Sequence, residues 1–433
     1  MLIFYLLVSG MPLVNQPLLS HFVEQLTMMK YLGIAALGYA FLHLALKRAV
    51  PDGWWGSLAV LLAAFYGWAA VSYGTKGLPQ PWQLSPFLSL TSFVLLFLIV
   101  LAVVDTEDRL RWTIYVAIGS VALGSVYVVR EWLEFHAVYK DFRPGYVVGD
   151  ANYFTLSALL CLPLAYFMLL ERRPAWERIF LGSSILITLV AVALAASRGG
   201  FLGLVVACLF VVWRSRHRLR NTVAICGLMV PILALAPTSS VQRLLHPDYS
   251  DIAAEQDRLV VWRAGLQMIK AHPWSGIGLG NFKPEVTRYE TGPDKVDSLA
   301  HNTYIGTAAE LGVPGLGLFV ALFADAFFLA GRAVRLAAGE VSMLRQAGLG
   351  VQAGLLGAAV GICFLSASTQ KLLWLMLFLT PCIARLAQLR EQAQQEALAR
   401  AVALPRPSEA GLAIAAPAGT LGAWARDLGG IFR

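Results

Sequence analysis

Runs of about twenty apolar residues, separated by short polar breaks, recur along almost the whole chain. The pattern is neither the two-residue alternation of a half-buried strand nor the narrow stripe of a surface helix. A helix that crosses the hydrocarbon of a bilayer needs about 20 such residues. Twelve spans are predicted, at approximately 2–20, 28–46, 55–73, 84–104, 110–130, 153–170, 178–196, 199–213, 222–236, 305–330, 347–366 and 371–389. Gly10 and Pro12 interrupt the first, and the eighth and ninth are short for a full crossing. Gly and Pro are tolerated in membrane helices where neighbours satisfy the freed backbone groups. The predicted fold class is an all-α polytopic membrane protein with about twelve transmembrane helices.

Composition removes the main competitor. Hydrophobic residues make up 58% of the chain and charged residues 14%, against about 45–50% and about 25% in soluble domains. A soluble multidomain enzyme is excluded. The net charge of +8, from 34 Lys+Arg against 26 Asp+Glu, sits in the breaks between spans, where it sets orientation; no nucleic-acid partner is expected. With the N-terminus in the cytoplasm, Lys47, Arg48, Arg109, Arg111, Arg172, Arg173, Arg178 and the cluster Arg214 to Arg220 all fall on the cytoplasmic side. The N-terminus lacks a basic leader and is taken as the first membrane helix. The five cysteines lie in apolar runs without a CxxC, so neither a disulfide nor a metal site is expected.

This orientation puts the break at Ser197-Arg198-Gly199-Gly200 and the long segment 237–300 on the same, outer side. The chain is accordingly divided into spans one to nine over 1–236, an outer loop domain over 237–304, the last three spans over 305–390, and a mobile cytoplasmic tail over 391–433. Within the loop, Gln256 to Ala271 carries helical apolar spacing, which Pro273 and the run Gly276-Ile277-Gly278-Leu279-Gly280 end. A second outer loop, 131–152, holds His136, Arg143, Asp150 and Asn152.

Three outer residues stand out. Arg198 lies in an unbroken apolar context, where an arginine costs about 2.5–3.5 kcal/mol at a helix centre. It either snorkels to headgroups or faces an anion. Arg258 opens a helical stretch with Trp262 one turn later; a salt bridge with Asp257 or Glu255 is the plainer reading. His301 begins His301-Asn302-Thr303-Tyr304 where the loop re-enters the membrane, with Asp297 and Glu310 as candidates to orient its ring. Guanidinium groups grip phosphate oxygens bidentately and stay charged. An imidazole takes up protons near neutral pH. The combination suits attack by a hydroxyl on a carbon whose leaving group is a phosphate, with no metal needed if the arginines neutralise the leaving group.

The chain resembles the O-antigen ligase family of bacterial O-antigen ligases, O-antigen polymerases and related oligosaccharyltransferases. The resemblance rests on Ser197-Arg198-Gly199-Gly200, on Asp257-Arg258 to Trp262, on His272-Pro273-Trp274 through Phe282, on His301-Asn302-Thr303-Tyr304, on Glu310-Leu311-Gly312 with Pro314-Gly315, and on Gly149-Asp150-Ala151-Asn152. It covers about residues 145–320. It implies a GT-C-like bundle with one large periplasmic loop in the bacterial inner membrane and an active site on the periplasmic side. It further implies inverting, metal-free and cofactor-free transfer of a glycan from undecaprenyl diphosphate to an acceptor hydroxyl, with lipid A–core as the expected acceptor. His301 then maps onto the family's essential histidine, and Arg198 and Arg258 onto its diphosphate-binding arginines. Arg143, Lys283 and Arg288 are further candidates for the anionic ligand. Trp262 and Tyr304, with Trp274, are candidates to stack on sugar rings, and Asn152 and Asn302 are expected to line the substrate site. Two other acceptors, a growing lipid-linked glycan or a protein hydroxyl, stay open.

A transporter is the rival of another class, since many have twelve helices. Transporters usually show internal repeats and ionisable residues at the membrane midplane. No repeat is visible, and the spans hold few ionisable groups, among them His43 and Asp325, the latter expected to pair with Arg332.

Overall fold

A computed structural model describes residues 1–13, 28–47, 56–75, 81–136, 138, 142–145, 150–215, 218–235, 249–291, 295–338 and 342–403. Within these the chain forms fourteen α-helices and no strand. They are α1 (Leu2–Gly10), α2 (Met28–Lys47), α3 (Ser57–Thr75), α4 (Pro81–Val103), α5 (Glu107–Phe135), α6 (Ala151–Leu169) and α7 (Ala175–Ala195). Then come α8 (Arg198–Arg214), α9 (Arg218–Leu235), α10 (Tyr249–Ala271), α11 (Phe282–Tyr289), α12 (Thr303–Leu336), α13 (Met343–Gly361) and α14 (Lys371–Ala403). The chain falls into two units, Met1–Gln388 and Leu389–Arg433. The membrane helices and the site described below lie in the first.

The protein is an all-α polytopic membrane protein. Nine described helices, α2 to α7 and α12 to α14, are long and apolar enough to span. The other three expected spans fall short of that. Helix α1 has 9 residues, α8 has 17, and α9 has 18 but opens on Arg218 and Arg220. The second half of the first expected span lies outside the described residues, as do the loop residues 237–248 and the tail 404–433. Several helices also run past their apolar stretch. Helix α5 covers 107–135 because Thr106 caps its N-terminus, its hydroxyl accepting from the Arg109 amide, and Glu107 and Asp108 fill the first turn, where acidic side chains favour the positive end of the helix.

The core sits where α13 lies along α6, α8 and α12. Small residues make the approach possible, the usual device where lipid offers no hydrophobic drive between helices. A Cβ on Gly350 would meet the Leu164 Cα at 2.6 Å, and one on Gly203 would meet the Gly357 carbonyl oxygen at 2.6 Å. Asp325 does not pair with Arg332. It accepts from the Ser57 hydroxyl at 2.9 Å, while Arg332 reaches Gln388 at 3.0 Å.

Helix α12 is broken near its start. Gly312 has φ 71 and ψ −179, a conformation that glycine alone adopts readily. Into the break fits the segment that follows α10. Ile277 and Gly278 donate to the carbonyls of Ala309 and Glu310 at 2.8 and 3.0 Å, and Val313 donates to the Pro273 carbonyl at 2.8 Å. From α3, Trp68 and Ser72 donate to the Leu311 and Glu310 carbonyls at 2.8 and 3.1 Å. The loop is thus fastened to the membrane bundle through the backbone groups that the kink releases.

Candidate active site

Four chain segments meet at one end of the bundle, and each is set by a local rule. Helix α7 ends on Ala196, which is left-handed at φ 46. The chain turns there, and Ser197 caps α8 by accepting from the Gly200 amide at 3.2 Å. That makes Arg198 the first residue of α8. Asp150 caps α6, accepting from the Asn152 amide at 2.7 Å. Asn302 caps α12, its Oδ1 accepting from the amides of Tyr304 and Ile305 at 3.0 Å each. Three N-caps of the preferred Ser/Asp/Asn type therefore start three helices around one region.

Side chains join them. Asn152 Oδ1 accepts from the Ser197 hydroxyl at 2.8 Å and from Arg143 at 3.3 Å, and Arg143 also donates to the Ala195 carbonyl at 3.3 Å. Thr303 donates to the Leu365 carbonyl at 2.6 Å and accepts from the Ala367 amide at 2.9 Å, tying the start of α12 to the strand-like link before α14. Trp262 Nε1 donates to the Ala300 carbonyl at 2.8 Å, and the Trp262 and Phe364 rings lie 6.4 Å apart. A Cβ on Gly199 would come within 2.8 Å of Phe364 Cβ. Arg198 and His301 are thus each one residue away from a group that touches the Trp262–Phe364 pair.

His301 is left-handed at φ 45, one of two described non-glycine residues with positive φ. Such a conformation costs of order 1–2 kcal/mol and persists only where the surroundings over-determine it. Burial pushes the imidazole pKa below its usual value, Arg258 pushes it the same way, and Asp150 opposes them. The three groups therefore share one electrostatic neighbourhood, and the ring is held neutral near pH 7. A neutral imidazole can accept a proton, and a carboxylate whose charge acts on it favours the imidazolium that results.

Of the residues singled out in the sequence, His301, Arg258, Trp262, Asn302, Arg198, Asn152 and Arg143 gather here. Lys283 and Arg288 are exposed on α11, and Arg288 is turned onto Glu285 at 2.8 Å. Tyr304 points inward, its hydroxyl on the Ala359 carbonyl at 2.8 Å and its ring 6.3 Å from Phe319. Glu310 does not face His301 through a bond; its carboxylate accepts from the Phe282 amide at 3.1 Å and secures the loop. The carboxylate whose charge opposes the lowering of the His301 pKa is Asp150, which sequence reasoning left out of the site. The signal was present, since an Asp directly before an apolar helix reads as a cap, but its partner is 151 positions away. Ser197 was also missed as the link between Arg198 and Asn152.

A cavity of about 100 Å³ opens beside Asn302 and Thr303, lined also by Glu310, Ser366, Thr369 and Trp374. Residues 183–320 match the family model described as O-Antigen ligase. The chain carries an O-antigen ligase family domain. The match runs from within α7 through α8, α9 and the loop helices to the first half of α12, and so includes Arg198, Arg258 and His301. No curated protein matches the chain. The family is one of membrane glycosyltransferases of the ligase or polymerase type, which act on a glycan donor and an acceptor in a lipid bilayer.

Proposed function

We propose that this O-antigen ligase-type protein moves a glycan from undecaprenyl diphosphate to an acceptor hydroxyl, and that the acceptor is the lipid A–core sugar. The residue roles are part of the proposal. His301, neutral at rest, takes the proton of the acceptor hydroxyl. The oxygen attacks the anomeric carbon from the face opposite the diphosphate. A new glycosidic bond forms as the carbon–oxygen bond to the diphosphate breaks, and the bonding pair leaves with the phosphate. Arg198 and Arg258 hold that phosphate and stabilise its growing charge, so the step runs without a metal. The configuration at the anomeric carbon is inverted. Asp150 steadies the imidazolium until its proton passes to water.

The observation that supports this reading is the influence of Arg258 and Asp150 on His301, with Gly199, next to Arg198 in the chain, packed on Phe364 and Phe364 facing Trp262. A base, a carboxylate to support its charged form, and guanidinium groups are what an in-line displacement with a phosphate leaving group requires. In the proposed setting the protein lies in the bacterial inner membrane with this end of the bundle facing the periplasm, and the loop helices α10 and α11 lie beside the headgroup.

The test is transfer in vitro. Purified protein in lipid, given undecaprenyl-diphosphate glycan and lipid A–core, is expected to form a lipid A–core-linked glycan with and without EDTA. Lengthening of the lipid-linked glycan with no second acceptor would replace ligation by polymerisation. Loss of activity in EDTA, restored by a divalent ion, would overturn the metal-free step.

A further inference from the structure

Helix α10 keeps one face exposed. Leu259, Arg263, Leu266 and Lys270 recur at helical spacing on one side of it, and all four are exposed. The other side is packed. Val261, Ala264 and Met268 are buried with Phe282, Val286 and Ala300, and a Cβ on Gly265 would meet Ile305 Cγ2 at 2.5 Å. On α12, Ile305 and Ala309 belong to that contact, whereas Thr303, Gly306 and Thr307 line the cavity shared with α3, α4 and α14. Helix α10 therefore flanks α12 on the side away from those three helices, and its exposed face points out of the bundle.

The lower end of that face is fixed at the membrane border. The Ser72 hydroxyl, near the end of the spanning stretch Ser57–Gly74, donates to the Ser275 carbonyl at 3.4 Å. Val313 donates to the Pro273 carbonyl at 2.8 Å. Val313 also heads an exposed apolar row on α12, continued by Gly317, Val320, Ala324 and Phe328, and such a row on a spanning helix meets lipid. Between the two bonded carbonyls sits Trp274, 74% exposed, a residue type that collects at the water–lipid boundary. Lys270 lies in the last turn of α10, and Leu266 one turn above it.

The charge on this face has one sign. From Leu259 to Trp274 the chain has no Asp or Glu, and Arg263 and Lys270 enter no ion pair among the described residues. Exposed leucines beside unpaired cations are the composition of a helix that lies on an anionic lipid surface.

We infer that α10 docks its Leu266–Lys270 face, with Trp274, on the leaflet at the His301 end of the bundle, where Lys270 and Arg263 take the phosphate headgroup of an anionic phospholipid. Leu266 and Trp274 enter the acyl boundary and continue the lipid-facing row of α12. A second copy of this chain fits poorly, since the same face on both copies would set cations against cations. The surface is separate from the glycan-transfer site and stands whichever acceptor that reaction uses. The contact sets the height of α10, and with it Arg258 and Trp262, over the bilayer.

Photocrosslinking of the full chain in nanodiscs decides the matter. Benzoylphenylalanine replaces Leu266, or replaces Asp257, which lies about 20 Å up α10 from Lys270. The discs hold phosphatidylcholine with or without phosphatidylglycerol, and adducts are read by mass spectrometry. Lipid adducts should form from the Leu266 position and not from the Asp257 position. In mixed discs they should favour phosphatidylglycerol. Lys270→Gln should lower the ratio of phosphatidylglycerol to phosphatidylcholine adducts about fivefold, the equivalent of the ~1 kcal/mol that one basic residue contributes at an anionic lipid surface. Lys270→Glu should lower it further, and Arg130→Gln, on an exposed pair with Glu134, should leave it unchanged. Absence of lipid adducts from the Leu266 position, or adducts to a second copy in their place, would overturn the lipid face. A ratio indifferent to Lys270→Glu would overturn the headgroup contact.

Discussion

At the end of the bundle that carries His301, the shape is held by backbone geometry. Ala196 and His301 are left-handed, Gly312 breaks α12, and Gly199 and Gly200 let α8 press against Phe364 and Thr155. At the end that carries Asp105, it is held by charge. Asp105 accepts from Lys47 and from Arg109 at 2.7 Å, and Arg173, nearly buried, bridges Glu171 at 2.5 Å and Glu177 at 3.5 Å, with Tyr115 bonded to Glu177 as well. The proposed function gives the difference a reason. Donors at a phosphate site cannot be consumed by fixed carboxylates, so they must be placed by helix starts and tight packing. Nothing similar constrains the other end, where ion pairs hold the connections between helices.

Substitutions sharpen the contrast. The largest effect is expected for Arg198→Ala, which removes charge stabilisation of the leaving diphosphate and should lower kcat by about 10²–10³ while the fold survives. Arg198→Lys should recover only part of this, since an ammonium loses the bidentate grip. Measured transfer rates check both.

Volume should matter next, and only at the His301 end. A Cβ on Gly200 would sit 2.0 Å from Thr155 Cγ2. Gly200→Ala should cost about 1–3 kcal/mol of stability by overpacking and displace Arg198. Thr155→Ala in the same chain should restore part of both losses, read by thermal unfolding and by transfer rate. At the opposite end, Glu177→Gln should lower stability by about 1–3 kcal/mol, yet leave the rate per folded molecule unchanged.

The smallest effect is on the pH profile. Neutral His301 is the active form, and burial and Arg258 lower its pKa. Activity is therefore expected to persist below the usual imidazole value of about 6.5 and to fall as pH drops through the lowered one. Arg258→Gln removes one of the lowering influences, so the residual activity should lose its acid limb at higher pH.

Much of this was legible in the sequence because each signal was local. Apolar runs of membrane length located nine helices, Arg198 stood out in its apolar context and His301 where the loop re-enters the membrane, whereas Arg258 was read from the residues as a surface salt bridge and entered the site through the family resemblance. The remaining three expected spans correspond to α1, α8 and α9, which among the described residues are shorter or less apolar than the nine, and the second half of the first lies outside those residues. The docking of residues 273–278 into the broken α12 was read only as a helix break, since its partners lie more than thirty positions on. The same separation hid Asp150 from His301. Such contacts are set by how α6, α10 and α12 pack, which no local pattern encodes.

The account turns on His301 as a base, not as a turn residue. Asparagine tolerates the left-handed backbone but cannot remove a proton. His301→Asn, assayed for glycan transfer against an unchanged unfolding temperature, is predicted to lose about 10²–10⁴ of the rate. Retention of the full rate in that variant would contradict the account.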